Sequence, residues 1–461
     1  MSASVPLGQT LRIAIVGAGM SGLAVALALA RNGFNKIHVY EAASNLGFVG
    51  AGIQVAPNLS RQLQRLGVWD HLQEDAVTMH GASVRAGSTD EELASVNSSH
   101  VEERYGQPHR WAHRAALANA LCEGCKAASP AITIHFSTAV VGIDFEHPRL
   151  RVQERGAEGE DSWVDTDVIL GADGIKSVVR KYMLAKRGED ADVKDTGQAA
   201  YRIMLTREQL AHDPELLAMV NSNLTFRWIA PRRHIIAYPI SAHKTFNIST
   251  AQPDTNFASE PTSSYTTRAD KSAMLAVFED FCPLVQRMLG LVGEGEVCEW
   301  KLRVHHSLST WVDEGGKVAL LGDACHPSLP HLGQGAAQAI EDAAVLAVVL
   351  SKITDKNDVH AALLVYEVHR FSIFIIACPS SHRILALTPS QHLRKQRAEF
   401  LVDQAAASGC DLHLTDPEAQ AARDEAFRQV KNGGANPDKW LDREVQDFVY
   451  GFDCVQDAEG R

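Results

Sequence analysis

The 461-residue chain has no run of about 20 consecutive apolar residues, the length a membrane-spanning helix needs. The nearest approach, 371–378, is far too short. Residues 1–9 lack a basic stretch followed by an apolar one, so no secretory signal is visible and the cytoplasm is the expected location. Positive charge is also scarce: 44 Lys and Arg against 56 Asp and Glu give a net charge of −12. That balance argues against nucleic acid or an acidic membrane as a partner. The eight cysteines are scattered. Cys122 and Cys125 form a CxxC, but no second pair stands at zinc spacing and the pair falls in a helical pattern over 117–128. Reduced thiols and no metal are the expectation.

What is present begins at residue 11. An apolar, β-branched run, 11–16, predicts a buried parallel strand. Gly17-Ala-Gly19-Met-Ser-Gly22 follows at once, then an Ala/Leu-rich helix over 23–32 and a second strand over 36–40 that ends in Glu41. In this order each residue has a physical task. Gly17 permits the turn, Gly19 lets the backbone approach a pyrophosphate, and Gly22 lets helix and strand pack closely. The helix start offers amides and a positive dipole end to phosphate. Glu41, 19 residues past Gly22, is placed to accept from a ribose diol, which favours FAD or NAD over NADP at this site.

Two later segments repeat a strand followed by a small residue and an acid. One is Val168-Ile-Leu-Gly-Ala-Asp173-Gly174 with Ser177 and Arg180; the other is Val318-Ala-Leu-Leu-Gly322-Asp323-Ala-Cys-His326-Pro327. Each puts a carboxylate at the carboxyl edge of a sheet, where ligands bind. Gly333-Gln-Gly335-Ala336 then opens an apolar helix over 338–350, again with amides at a helix start.

In this order the segments GAGMSG, GADGIKS, GDACHP and GQGA resemble the class A FAD-dependent aromatic hydroxylases. The resemblance is strongest to fungal salicylate-hydroxylase-like monooxygenases. Gly50 to Asn58 (GAGIQVAPN), Trp111-Ala-His-Arg114 and Glu341-Asp-Ala343 add to it, and it covers residues 10–370 and 395–455. It implies an α/β fold of the 4-hydroxybenzoate hydroxylase type: a Rossmann-like FAD-binding domain, an antiparallel substrate-binding sheet and a C-terminal helical region. The expected division is 10–180 and 298–350 for the FAD-binding domain, 181–297 for the substrate sheet, and 351–461 for the helical region.

The resemblance also implies roles. Glu41 would hold the adenosine ribose, and Arg114 would lie against the pyrophosphate, with Ala51 and Gly52 in a flavin-side loop. Asp323 would bond the ribityl chain, and Gly333, Gly335 and Ala336 would pass beneath the isoalloxazine. Asp173 would sit beside the FAD and the nicotinamide cofactor; the residues alone also allow a turn-forming acid. No second GxGxxG occurs, in keeping with a family in which NAD(P)H binds transiently. The implied reaction is hydroxylation of a phenolic or salicylate-like ring with NAD(P)H and O2 through a C4a-hydroperoxyflavin.

Between residues 198 and 297 the pattern changes to strands, over 199–205, 224–229, 234–240 and 244–250. In fungal relatives that oxidise phenolic polyketides, an arginine and a tyrosine at the motif positions of Arg202 and Tyr238 orient the phenolate. An edge-strand Arg202 paired to a surface acid is the structural alternative. His305 and His306 stand where many relatives have Asp-Arg, and His326 fits a structural role beside Pro327. A flavin-dependent epoxidase and a flavin-binding protein without oxygenase activity are the rival functions; a halogenase is disfavoured by the lack of a WxWxIP-like segment.

Residues 371–394 do not fit the resemblance. Relatives run directly from a YEVHR-like helix into a KQRAE-like one, and deleting the 24 residues restores that continuity. The segment is read as a retained intron or gene-model error, against a genuine lid or membrane-touching insertion. A spliced transcript that encodes all 24 residues overturns the first reading.

Overall fold

The computed structural model describes residues 6–47, 51–156, 161–255, 266–367, 376–377, 384–385 and 394–460. Short apolar runs fall at its centre. Ile13–Val16 pairs in parallel with Val168–Gly171 on one side and Ile37–Tyr40 on the other; Val318–Leu320 and Ile132–His135 complete a five-stranded sheet. Ile13–Val16 and Val168–Gly171 are buried along their whole length, as expected of strands covered on both faces. Helix Met20–Arg31 packs against helices Arg114–Ala127 and Gly335–Ser351. Cys122 and Cys125 lie buried in Arg114–Ala127, where Cys125 Sγ donates to the carbonyl of Leu23 at 3.3 Å.

The second layer is an eight-stranded sheet. Its central strands, Lys194–Thr206, Thr245–Pro253, Arg233–Ile240 and Leu224–Ala230, run antiparallel. It draws Gly81–Ala86 and Glu92–Asn97 from the first quarter of the chain, and Cys298–Val304 from past residue 297. The sheet is therefore wider than the 181–297 segment that sequence patterning marks out. Strand pairing joins segments far apart in the chain, and no local pattern reports that.

Helix Gly335–Ser351 begins three residues before the expected start, so Gly335 and Ala336 already belong to its first turn. Every residue from Ala337 to Leu350 is buried, Glu341 and Asp342 included. Buried charge must be paired. Arg394 Nη1 donates to Glu341 at 2.6 Å and Arg394 Nε to Asp342 at 2.6 Å; Arg397 Nε donates to Glu341 at 2.9 Å. His326 Nε2 meets Asp342 at 2.6 Å, and Asn58 donates to Glu341 at 2.7 Å. Burial pushes the Glu341 carboxyl up, but Arg397 and Arg394 outweigh it and hold it below its ordinary value. His326 is thus a structural residue.

Arg394 closes the anomalous 371–394 segment; it is fully buried and directly precedes helix Lys395–Leu412. Deleting 370–393 or 371–394 leaves the same sequence, because an arginine stands at both 370 and 394, so the position before Lys395 is an arginine in either case. Ile376–Ala377 and Ile384–Leu385 pair antiparallel; the rest of 371–393 lies outside the described residues. Among the described residues no helix is long and apolar enough to cross a membrane.

Removing one partner of a buried ionic cluster strands the others. Arg394→Met is expected to lower unfolding stability by about 3–5 kcal/mol, read from the urea midpoint. Arg12→Met, at the exposed Arg12–Asp167 pair, should change it by less than about 1 kcal/mol.

Candidate active site

A cleft of about 420 Å³ opens between the carboxyl edge of the parallel sheet and one face of the antiparallel sheet. Gly19 reaches it from the glycine-rich turn, and a Cβ built there meets nothing within 4 Å. Gly17 and Gly22 lie behind the turn. A Cβ on Gly22 would stand 1.9 Å from the Gly17 carbonyl, so glycine is required for helix and turn to touch. Glu41 also stands behind the cleft lining. Its two oxygens accept from the Ala18 and Ala43 amides, both at 2.8 Å, and so brace the turn.

Asp323 lines the cleft from the 3₁₀ turn after Val318–Leu320, and its exposed carboxylate has no hydrogen-bond partner among the described residues. Arg114, at the first position of helix Arg114–Ala127, also lines it; its amide donates to the Ala51 carbonyl at 2.8 Å. Gly333, Gly335 and Ala336 form the floor. Gly333 has φ +62°, and a Cβ there would sit 2.0 Å from Gln54 Oε1.

Asp173 departs from expectation. Its Oδ1 accepts from Ser177 Oγ at 2.5 Å and its Oδ2 from the Val178 and Val179 amides at 2.7 and 3.2 Å. Those amides are the first free donors of helix Val178–Arg187, which claim the carboxylate. Ala172 and Gly174 line the cleft, while Asp173 turns away to organise the turn.

The antiparallel sheet supplies the opposite wall. Arg202 is not on an edge: its strand pairs with both Thr245–Pro253 and Cys298–Val304. Its Nη1 donates to Ser249 Oγ at 2.7 Å, and among the described residues it has no ion pair. That overturns the surface-pair alternative. Tyr238 stacks on Trp111, with centroids 3.9 Å apart and planes at 20°. Burial raises its phenol well above the ordinary value against the lowering effect of Arg202, so it is a hydroxyl donor at neutral pH. Gly52 seats this pair: its amide donates to Asn247 Oδ1 at 2.6 Å, and a Cβ on it would stand 2.6 Å from the Tyr238 ring. Ala51 lines the cleft beside it.

Several lining residues escape sequence reasoning, among them Arg227, His234, Ile236, Ser249 and His331. His234 and Ile236 were within reach, because they lie on the same strand face as Tyr238, four and two positions earlier. The others carry no local signal. His305 does not line the cleft; its Nδ1 faces the carbonyl of His306 at 2.6 Å.

The sequence profile of the FAD binding domain family matches residues 10–374. The chain belongs to the FAD-dependent monooxygenases. It is 31% identical to FAD-dependent monooxygenase ntnJ of Nectria sp, over 93% of this chain and 91% of the relative. It is 34% identical to 3-hydroxybenzoate 6-hydroxylase 1 of Aquipseudomonas alcaligenes, over 78% and 85%. In fold it resembles a salicylate hydroxylase substrate complex, with a TM-score of 0.72 at 22% identity over 97% of each chain. It also resembles CtdE with FAD and a substrate, with a TM-score of 0.75 at 19% identity over 98% and 97%. The monooxygenase is an oxidoreductase that uses FAD.

The placement of Asp173 has a measurable consequence in this monooxygenase. Asp173→Ala should lower the stability of the flavin-free protein by about 0.5–2 kcal/mol, because the Val178 and Val179 amides lose their acceptor while the N-cap Ser177 stays in place. Flavin affinity, titrated by fluorescence quenching, should stay within about twofold of the parent.

Proposed function

We propose that the monooxygenase hydroxylates a phenolic or salicylate-like aromatic ring at the expense of NAD(P)H and O2. The observation that carries this reading is a guanidinium without a carboxylate partner, Arg202, facing the cleft beside the Tyr238 hydroxyl. Burial, with Arg114 adding to it, pulls the Arg202 pKa down, and Tyr238 opposes the shift; a guanidinium nonetheless keeps its proton. Such a cation favours an ionised phenol, and ionisation enriches the ring that is to be attacked by an electrophilic oxygen.

The opposite wall fits FAD. The open space at Gly19 admits a pyrophosphate to the backbone, and Arg114 can neutralise it. Glu41 keeps lone pairs for the ribose after bracing the turn. Asp323 is free for a ribityl hydroxyl, and the amides at the start of Gly335–Ser351 favour negative charge on the reduced ring. Bound FAD supplies electron transfer and oxygen activation; the chain binds, orients, excludes water and holds the phenolate.

Turnover with salicylates, resorcylates and acyl-resorcinols tests the reading. NAD(P)H oxidation coupled to a hydroxylated product is expected with at least one class. NAD(P)H consumption that yields only hydrogen peroxide across the panel overturns it. Asp323→Ala should weaken FAD about ten- to a hundredfold, the equivalent of about 1.5–3 kcal/mol for a bond to a charged group, with flavin titration as the measurement.

Arg202→Gln should retain FAD, weaken substrate and move the pH optimum upward. The cation stabilises the anion, so its loss raises the pKa of the bound phenol, and more alkaline solution is then needed to form the reactive species. Tyr238→Phe should be milder, since it removes one neutral hydrogen bond and leaves the stack on Trp111. Spectroscopic titration of bound substrate reads both variants; an unshifted bound pKa in Arg202→Gln refutes the electrostatic role.

A further inference from the structure

The register of the antiparallel sheet aligns Arg202, Ser249, Ile236 and Arg227 in one cross-strand row. Three interstrand steps separate the two arginines, about 14 Å between their Cα atoms. The two ends of this row differ in charge. Among the described residues Arg202 has no ion pair, whereas Arg227 is neutralised by Asp438, with the Arg227 and Asp438 side chains both buried. Between them Ile236 offers an apolar floor.

His331 joins the Arg227 end from the segment ahead of Gly333. It lines the cleft, is only 2% exposed, and neither of its ring nitrogens has a hydrogen-bond partner among the described residues. The same holds for Nε of Arg227. Such buried polar atoms call for a partner; His331 Nε2 lies against Gly409, which leaves His331 Nδ1 and Arg227 Nε at this end of the cleft. Burial, with His413 and Arg227 adding to it, pushes the imidazole of His331 down to about 3. It is therefore neutral, with one donor and one acceptor nitrogen.

We propose that the Arg227–His331 end of the cleft is a recognition subsite for an uncharged oxygen of the substrate, a ketone, ester carbonyl or hydroxyl carried on a chain that extends from the phenolic ring across Ile236. The assignment rests on the reading of Arg202 as the phenolate partner, which fixes where the ring lies. A carboxylate is the wrong ligand for this end. It would enter a buried region where the one arginine is already paired and the imidazole is uncharged, and an uncompensated buried anion is costly.

Three resorcinols of matched size separate the possibilities: 4-(2,4-dihydroxyphenyl)butan-2-one, 4-butylresorcinol and 3-(2,4-dihydroxyphenyl)propanoic acid. Dissociation constants are measured on the FAD-loaded enzyme by perturbation of the flavin spectrum. The ketone should bind about three- to tenfold tighter than the butyl compound, and the acid weakest. His331→Leu should bring the ketone to the level of the butyl compound while changing the latter by less than about twofold; His331→Asn should retain the preference. Equal affinities for ketone and butyl chain in the parent enzyme, or tightest binding by the acid, overturn the subsite whether or not the variants fold. If the expected order appears without hydroxylation, the subsite stands and the salicylate, resorcylate and acyl-resorcinol panel decides the oxygenation reading. If all three are hydroxylated with equal affinities, the subsite fails and the oxygenation reading stands. Absence of binding by all three refutes the subsite.

Discussion

Two adjacent carboxylates inside helix Gly335–Ser351 set the constraint on which the rest of the molecule depends. Glu341 and Asp342 are both essentially without solvent contact, so protein groups must stabilise their charge. Their partners come from three directions. Asn58 arrives from helix Pro57–Arg65, His326 from the turn after the last parallel strand, and Arg394 and Arg397 from the C-terminal helical region. Because a buried ion tolerates no loose geometry, these three segments are held in one arrangement about the helix whose first turn floors the cleft.

The cleft inherits that rigidity and divides its labour between two sheets. The parallel sheet ends in turns that present amides and the carboxylate of Asp323. The antiparallel sheet presents side chains at fixed pitch: Tyr238, Ile236 and His234 on one strand, Ser249 and Arg227 on its two neighbours, and Arg202 one strand beyond Ser249. Gly52 is the contact between the halves, since its missing side chain lets the flavin-side strand Gly52–Val55 lie against Tyr238 and Asn247. The electrostatic outcome is asymmetric: a cation on the sheet side without an acid, facing a wall suited to an anionic cofactor.

The cofactor half was legible because its constraints are local. The turn of Gly17, Gly19 and Gly22 requires those residues at that spacing whatever surrounds them, and the strand-turn-acid pattern ending in Asp323 reads from six consecutive positions, 318–323. Asp173 shows the limit of such reading. Its motif matches, yet the carboxylate is claimed by the free amides of the helix that follows, and only the direction of the chain after Gly174 decides that. The substrate wall was half legible. Arg202 and Tyr238 came from resemblance, while Arg227, Ser249 and His331 depend on the register between strands and on how a loop folds over the sheet, which no local pattern encodes.

The cross-strand row has one more consequence. Its four members lie on four different strands, and none of those strands belongs to the five-stranded parallel sheet. A point substitution at Ile236 or Ser249 therefore alters what the wall greets without disturbing a backbone bond that supports the cofactor. Descendants of such a gene are free to explore new aromatic partners one residue at a time while the oxidising half stays as it was, so a single scaffold can diversify in chemistry without first losing its fold.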